Sequence, residues 1–149
     1  MKLSAAQARS RFAASPVAVL GTADAVGVTH LVPVTFLLSD DLVYIAVDDK
    51  PKSSRDLRRL RNIAANPRVS LLAQHYEADW SRLWWARADG VARILPDPAA
   101  APDAVLTGLV ERYPWYRQNP PGGPVIEVTV TQWSGWAFSG ASAEPPDAA

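Results

Sequence analysis

The chain contains no cysteine. That excludes a disulfide framework, a thiolate nucleophile and any cysteine-ligated metal. Histidine is nearly as scarce. His30 and His75 stand alone in the sequence, with no metal-ligand spacing around either, and each reads as a structural or surface residue. Net charge is missing too: 15 basic and 15 acidic side chains cancel, so the basic excess of a nucleic-acid binder is absent and no such partner is expected. No apolar run is long enough to span a membrane. The opening Met1-Lys2-Leu3-Ser4 lacks the apolar core of a signal segment, so a cytoplasmic protein without membrane contact is expected. Neither a glycine-rich dinucleotide fingerprint nor a P-loop occurs.

What is present is globular composition. At 48% hydrophobic and 20% charged, the chain has enough apolar surface to fold and too little charge excess to stay disordered. Its 149 residues fit one domain, expected over 1–140. The Ala/Pro/Asp-rich stretch 141–149 is expected to be a disordered tail.

Local signals set out the elements. Ser4 and Gln7 form a capping-box pattern ahead of a helix expected over Ala5 to Ala14, which Pro16 stops. Strands are expected over Val17 to Ala23, Val28 to Leu38 and Leu42 to Val47. The turn Asp24-Ala25-Val26-Gly27 joins the first two, with Gly27 free to take positive φ, and Pro33 places a break or bulge in the second. A helix follows, with Leu57, Leu60, Ile63 and Ala64 inward, and Asn66-Pro67 ends it. Two strands follow, from Val69 to about Tyr76 and from Leu83 to Leu95. Then come a helix over Ala104 to Tyr113 with Val105, Leu109 and Val110 inward, and closing strands over Pro124 to Val130 and Trp133 to Ser139. Short strands joined by tight turns favour an antiparallel barrel over a parallel sheet.

Three stretches carry candidate chemistry. In Lys50-Pro51-Lys52-Ser53-Ser54-Arg55, two lysines and two serines precede an arginine-rich helix. Lys50, Lys52, Arg55, Arg58, Arg59 and Arg61 face Asp56 as the one acid. With Ser53 or Ser54 as N-cap, such a helix start offers N–H groups, hydroxyls and cations to an anion. Those cations oppose the helix dipole unless an anion is there. A solvated basic helix with a capping serine is the other reading. In Asp79 to Ala92, Trp84 and Trp85 point to opposite faces of a strand and Arg87 shares the face of Trp85. One tryptophan faces the core; the other meets an interface or ligand, unless all of them only pack. In Thr29 to Phe36, Pro33 frees backbone groups toward a ring-shaped ligand or merely marks a bulge. No acid/base dyad stands out.

These residues also carry a resemblance. Leu20-Gly21-Thr22, Gly27 to Val34, Lys50-Pro51-Lys52-Ser53, Asn66 to Leu72 and Gly90-Val91-Ala92 resemble the pyridoxamine 5′-phosphate oxidase-like superfamily. Leu57 to Ile63 with Asp79 to Trp85 is similar to its F420-dependent oxidoreductases, the flavin/deazaflavin-dependent oxidoreductase B type. The resemblance spans roughly Ala13 to Phe138. It implies an α+β split β-barrel of the FMN-binding-protein type, acting as a homodimer with two cofactor sites at the subunit interface. It implies that Val32, Pro33, Val34 and Thr35 line a tricyclic ring. It also implies that Lys50, Lys52, Ser53, Ser54 and Arg55 hold the cofactor's phosphate or acidic tail, and that Trp80, Trp85 and Arg87 approach from the partner subunit. The implied cofactor is coenzyme F420, with FMN as the alternative, and the implied reaction is hydride transfer to a small organic substrate. A non-catalytic flavin-, deazaflavin- or haem-binding protein is the rival reading. The oxidase's own pyridoxal-phosphate set of Lys, Tyr, Arg and Ser is not found near the C-terminus, so vitamin B6 oxidation is not expected.

Overall fold

The computed structural model describes residues 1–47 and 57–138. The first helix, α1 (Ala5–Ala14), starts where the capping box places it. Ser4 Oγ accepts from Gln7 N and Gln7 Oε1 accepts from Ser4 N. The strands are β1 (Ala18–Ala23), β2 (Thr29–Val34), β3 (Leu37–Ser39), β4 (Leu42–Ala46), β5 (Arg68–His75), β6 (Trp84–Leu95) and β7 (Val125–Ala137). The remaining helices are α2 (Arg58–Ala65), α3 (Asp103–Arg112) and α4 (Trp115–Gln118), with short 3-10 turns at Trp80–Arg82 and Pro98–Ala100.

The strands form one antiparallel sheet in the order β2-β1-β5-β6-β7-β4-β3. Its two edge strands, β2 and β3, are joined by Thr35 and Phe36 alone. The three chain steps from Val34 to Leu37 reach at most about 11 Å. The sheet therefore has to curl until its edges nearly meet. They do not pair with each other, so the barrel stays open along a seam at Thr35–Phe36. This is the α+β, antiparallel, open-sheet architecture that the sequence led us to expect.

The turn between β1 and β2 follows its local chemistry. Asp24 Oδ1 accepts from Val26 N and Val28 N, both at 2.9 Å, and Gly27 sits at φ +90°. Inside the barrel, Leu20, Phe36, Val43, Leu71, Ala86, Ala88, Ile126 and Val128 are fully buried, and α1 covers one opening with Ala8 and Phe12. Phe12 packs against Phe36 in a tilted pair with ring centroids 4.7 Å apart and meets Trp133 edge-on at 5.3 Å. Burial of one such side chain contributes about 1.5–3 kcal/mol. A second cluster packs α3 and α4 on the other end through Tyr44, Val105, Leu109, Tyr116 and Val125.

Four expectations need correction. The second strand is interrupted at Thr35–Phe36, not at Pro33. Pro33 stays in register opposite Val19, with no bulge. The reason is that β2 is an edge strand, where a missing N–H costs no second ladder. The closing strands are one, β7. Asp89 faces Gln132 and Gly90 faces Val130, so Thr131 is an extra residue that the strand absorbs as a bulge. Gly90 is required there, since a Cβ would stand 2.3 Å from the Thr129 carbonyl oxygen. Helix α2 begins at Arg58, with extended Leu57 as its N-cap and no side-chain cap. The expected serine cap, Ser53 or Ser54, lies outside the described residues. Finally, Ala64 is exposed, and the inward face of α2 is Leu60, Ile63 and Asn62. Asn62 is tolerated inside because its Nδ2 donates to the buried Thr22 hydroxyl at 3.0 Å.

Candidate functional site

The seam leaves backbone groups at Phe36 without strand partners, and side chains from α3 and the residue after it supply them. Phe36 N donates to the Tyr113 hydroxyl oxygen at 3.1 Å. That hydroxyl lies 2.9 Å from both Phe36 O and Pro16 O, and gives its one proton to either. Arg112 donates to Phe36 O at 3.2 Å and to Ala13 O at 3.1 Å, and also reaches Ser15 O. Its guanidinium carbon lies 4.7 Å from the Phe36 ring centroid. Burial pushes the Tyr113 phenol above its ordinary pKa, against the opposing pull of its backbone hydrogen bond to Phe36. The seam is thus held open by a fixed set of side chains.

Beside it lies a cavity of about 370 Å³, within the usual range for small-molecule sites. The end of β2 supplies Pro33, Val34 and Thr35, and β4 supplies Ile45 and Ala46. Helix α2 supplies Arg59 from its first turn, and the α3–α4 junction supplies Tyr113, Trp115 and Tyr116. Thr35 Oγ1 and the Tyr116 hydroxyl meet at 3.0 Å. Tyr113 and Tyr116 pack edge-to-face at 5.9 Å. Flat apolar walls, three hydroxyl-bearing residues and one guanidinium suit a planar ring system that carries polar edges and an anionic group.

Of the ring residues expected from the sequence, Pro33, Val34 and Thr35 come together in this cavity. Val32 instead packs against the barrel core. Lys50, Lys52, Ser53, Ser54 and Arg55 lie outside the described residues. Val47, the last described residue before that stretch, directly follows Ala46, and Leu57, the first after it, stands two positions ahead of Arg59. Ala46 and Arg59 both line the cavity.

Trp80, Trp85 and Arg87 are not at the cavity within one chain. Trp85 and Arg87 line a separate depression of about 240 Å³ with Leu72, Gln74 and Tyr76, on the outer face of β5 and β6. Trp84 is buried, so the two adjacent tryptophans do point to opposite faces. Trp80 stands 68% exposed in a 3-10 turn. The outer face connects the two places. Pro33 is opposite Val19, Val19 opposite Leu72, and Leu72 opposite Arg87. Three strand spacings, about 14 Å along the sheet, separate the ends of that row.

Tyr113, Trp115, Tyr116 and Arg59 were not singled out as ligand contacts from the sequence. The run Tyr113-Pro114-Trp115-Tyr116 was the available signal: three aromatics around a proline, ahead of a Pro/Gly loop. His75 is half-exposed and hydrogen-bonds Glu77. No group of three or more potential metal ligands gathers among the described residues. Nor is any helix among them long and apolar enough to cross a membrane.

A sequence profile for the family described as pyridoxamine 5′-phosphate oxidase matches residues 4–137. No protein of curated function matches. Among solved structures, the chain is similar to an FAD-binding protein from Mesorhizobium loti, with 23% identity, TM-score 0.67, and 91% of this chain and 95% of that chain covered. A putative 5-nitroimidazole antibiotic resistance protein from Bacteroides thetaiotaomicron is similar at 15% identity and TM-score 0.69, over 91% and 86% of the two chains. A haem storage protein from Vibrio cholerae is similar at 17% identity and TM-score 0.63, over 89% of each. At these identities the likeness is one of fold.

Proposed function

The chain belongs to the pyridoxamine 5′-phosphate oxidase family, and from that premise we propose that it is an oxidoreductase holding a tricyclic flavin-type cofactor in the seam cavity. In our reading the cofactor is coenzyme F420, with FMN as the alternative. The observation that carries this is the meeting of Pro33, Val34 and Thr35 with Arg59 in one cavity. Ring-sized walls and a cation thus lie together, and two of the lining residues, Ala46 and Arg59, flank in sequence the stretch that holds Lys50, Lys52 and Arg55.

The bound ring would supply the hydride, and the substrate is a small reducible organic molecule. The protein's own role is positioning and exclusion of water. Pro33, Val34 and Ile45 give an apolar surface for the ring. Arg59 stands where an anionic tail would be met, and the proposal gives Lys50, Lys52, Ser53, Ser54 and Arg55 the same task.

The working unit is a homodimer. The outer sheet face carries Leu31, Val17 and Tyr76 exposed, with Val19, Leu72 and Trp85 half-buried beside them. An apolar sheet face of this kind is suited to a second copy. Pairing it would bring Trp80, Trp85 and Arg87 of one protomer toward the cavity of the other.

The deciding experiment is titration of the purified protein with F420 and with FMN, followed by tryptophan fluorescence, in low and high salt. Binding of F420 that weakens with salt and with the double substitution Lys52→Ala/Arg55→Ala is the expected result. A protein that purifies yellow and prefers FMN would move the assignment to FMN. Binding without turnover of reduced cofactor toward any acceptor would leave a storage protein.

A further inference from the structure

The polar groups of the seam cavity are not equivalent. The Tyr113 hydroxyl is committed to the backbone of Phe36 and Pro16. Thr35 and Tyr116 bond to each other. A hydroxyl pair holds two protons and spends one on its own contact, so one proton remains to be donated. Around it the walls are Pro33, Val34, Ile45 and Trp115. The Arg59 guanidinium also lines the cavity; among the apolar walls this hydroxyl donor helps orient a bound ring, because a ligand that cannot pair with it leaves a desolvated hydroxyl behind.

The pair is also held in place. Tyr116 is buried at 6% exposure, and its ring is braced edge-on by Tyr113 at an interplanar angle of 82°. Tyr113 is in turn anchored on the seam backbone. Donors fixed this way lose little freedom when a ligand arrives.

We propose that Tyr116, paired with Thr35, reads the edge of the bound ring and selects ligands that present a hydrogen-bond acceptor there; this rests on the reading of the seam cavity as the ring site. Tyr116 is a binding and specificity residue on this account.

The test uses the full chain and two three-ring probes. Lumiflavin carries ring carbonyl acceptors and no phosphate; anthracene, delivered in cosolvent, has the same ring count and no acceptor. Dissociation constants are measured by tryptophan quenching for the wild type, Tyr116→Phe, Thr35→Val, Thr35→Ser and the Tyr116→Phe/Thr35→Val double variant. Lumiflavin binding is expected to weaken about tenfold in Tyr116→Phe and in Thr35→Val. The double variant should be weaker still, because each single variant keeps one hydroxyl proton, no longer held by its partner, and the double keeps none. Thr35→Ser should keep wild-type affinity, and anthracene should change less than about twofold throughout. Equal weakening of both probes would mean general damage to the cavity and would overturn the inference. So would a wild type that binds lumiflavin with Tyr116→Phe and Thr35→Val unchanged, a result that leaves the functional reading standing. A wild type that binds none of lumiflavin, FMN and F420 removes that reading and this inference together.

Discussion

The Arg87 guanidinium carbon lies 5.6 Å from the centroid of the Trp85 ring two residues earlier on the same face of β6. The Nε of Arg87 also donates to Asp89 Oδ2 at 3.1 Å. Asp89 Oδ1 accepts from the Ser70 hydroxyl at 2.6 Å. The charge of Arg87 is therefore already engaged within its own protomer. This stretch of β6 thus offers outward a half-buried tryptophan beside an exposed arginine whose charge is already paired, which suits a subunit interface better than a bare anion site.

If that face holds a second copy, the oligomer should respond to substitutions there that leave the fold intact. Leu31 stands 71% exposed on β2, so Leu31→Arg has no core to disturb. The wild type is expected to sediment as a dimer at micromolar concentration, and Leu31→Arg as a folded monomer with unchanged circular dichroism. A wild type that is monomeric across the concentration range removes the interface.

The bulge opposite Gly90 gives a stability prediction. A methyl group there would stand 2.3 Å from the Thr129 carbonyl oxygen and 3.0 Å from Val128 Cγ1. Both belong to the strand that pairs with it, so neither can yield cheaply. Gly90→Ala is expected to cost about 3 kcal/mol, read as a lower denaturant midpoint. Gly27→Ala meets no atom within 4 Å but sits at φ +90°. It should cost about 1 kcal/mol, from backbone strain alone.

What the sequence disclosed and what it hid follows the range of the interaction concerned. The Asp24–Gly27 turn, the Ser4 capping box and the opposite facing of Trp84 and Trp85 are set within a few residues, and each is legible. Pro33 was misplaced as a break because its penalty depends on whether its strand is an edge, and that is fixed by pairing with strands elsewhere in the chain. The division of β7 in two came from Thr131, which disrupts the alternation locally while the ladder on β6 runs on past it. The same limit holds at the site. Pro33, Val34 and Thr35 were reachable through a family resemblance. Tyr116 reaches Thr35 across 81 residues of sequence, and nothing local marks it as facing that strand.

On the proposed reading, Arg59 distinguishes the ring of the cofactor from its anionic tail. It lines the cavity from the first turn of α2, where no acidic residue stands. Arg59→Ala is expected to weaken FMN binding by about tenfold or more, an amount typical of one charge-assisted contact. Lumiflavin, which has no phosphate, should bind as before. The dependence of FMN affinity on salt should become shallower. Equal losses for both ligands would place Arg59 on the ring instead of the phosphate.

Glu127 supplies a pH dependence that has nothing to do with a ligand. It is buried on β7, and its carboxylate accepts from Arg93 Nε at 2.7 Å. That hydrogen bond is the main cause holding its pKa below the ordinary 4.5; burial pushes the other way, and the hydrogen bond with Tyr44 adds to the lowering. A carboxyl with a depressed folded pKa binds protons more weakly in the folded state than in the unfolded one. Its contribution to stability is therefore complete above about pH 5 and disappears as pH falls through the lowered folded value. Melting temperatures of the wild type should fall across that acid window. In Glu127→Gln the plateau near neutral pH should be lower and the acid decline shallower. Parallel curves for the two proteins would show that the pair with Arg93, whose side chain is 70% exposed, is too well screened by solvent to matter.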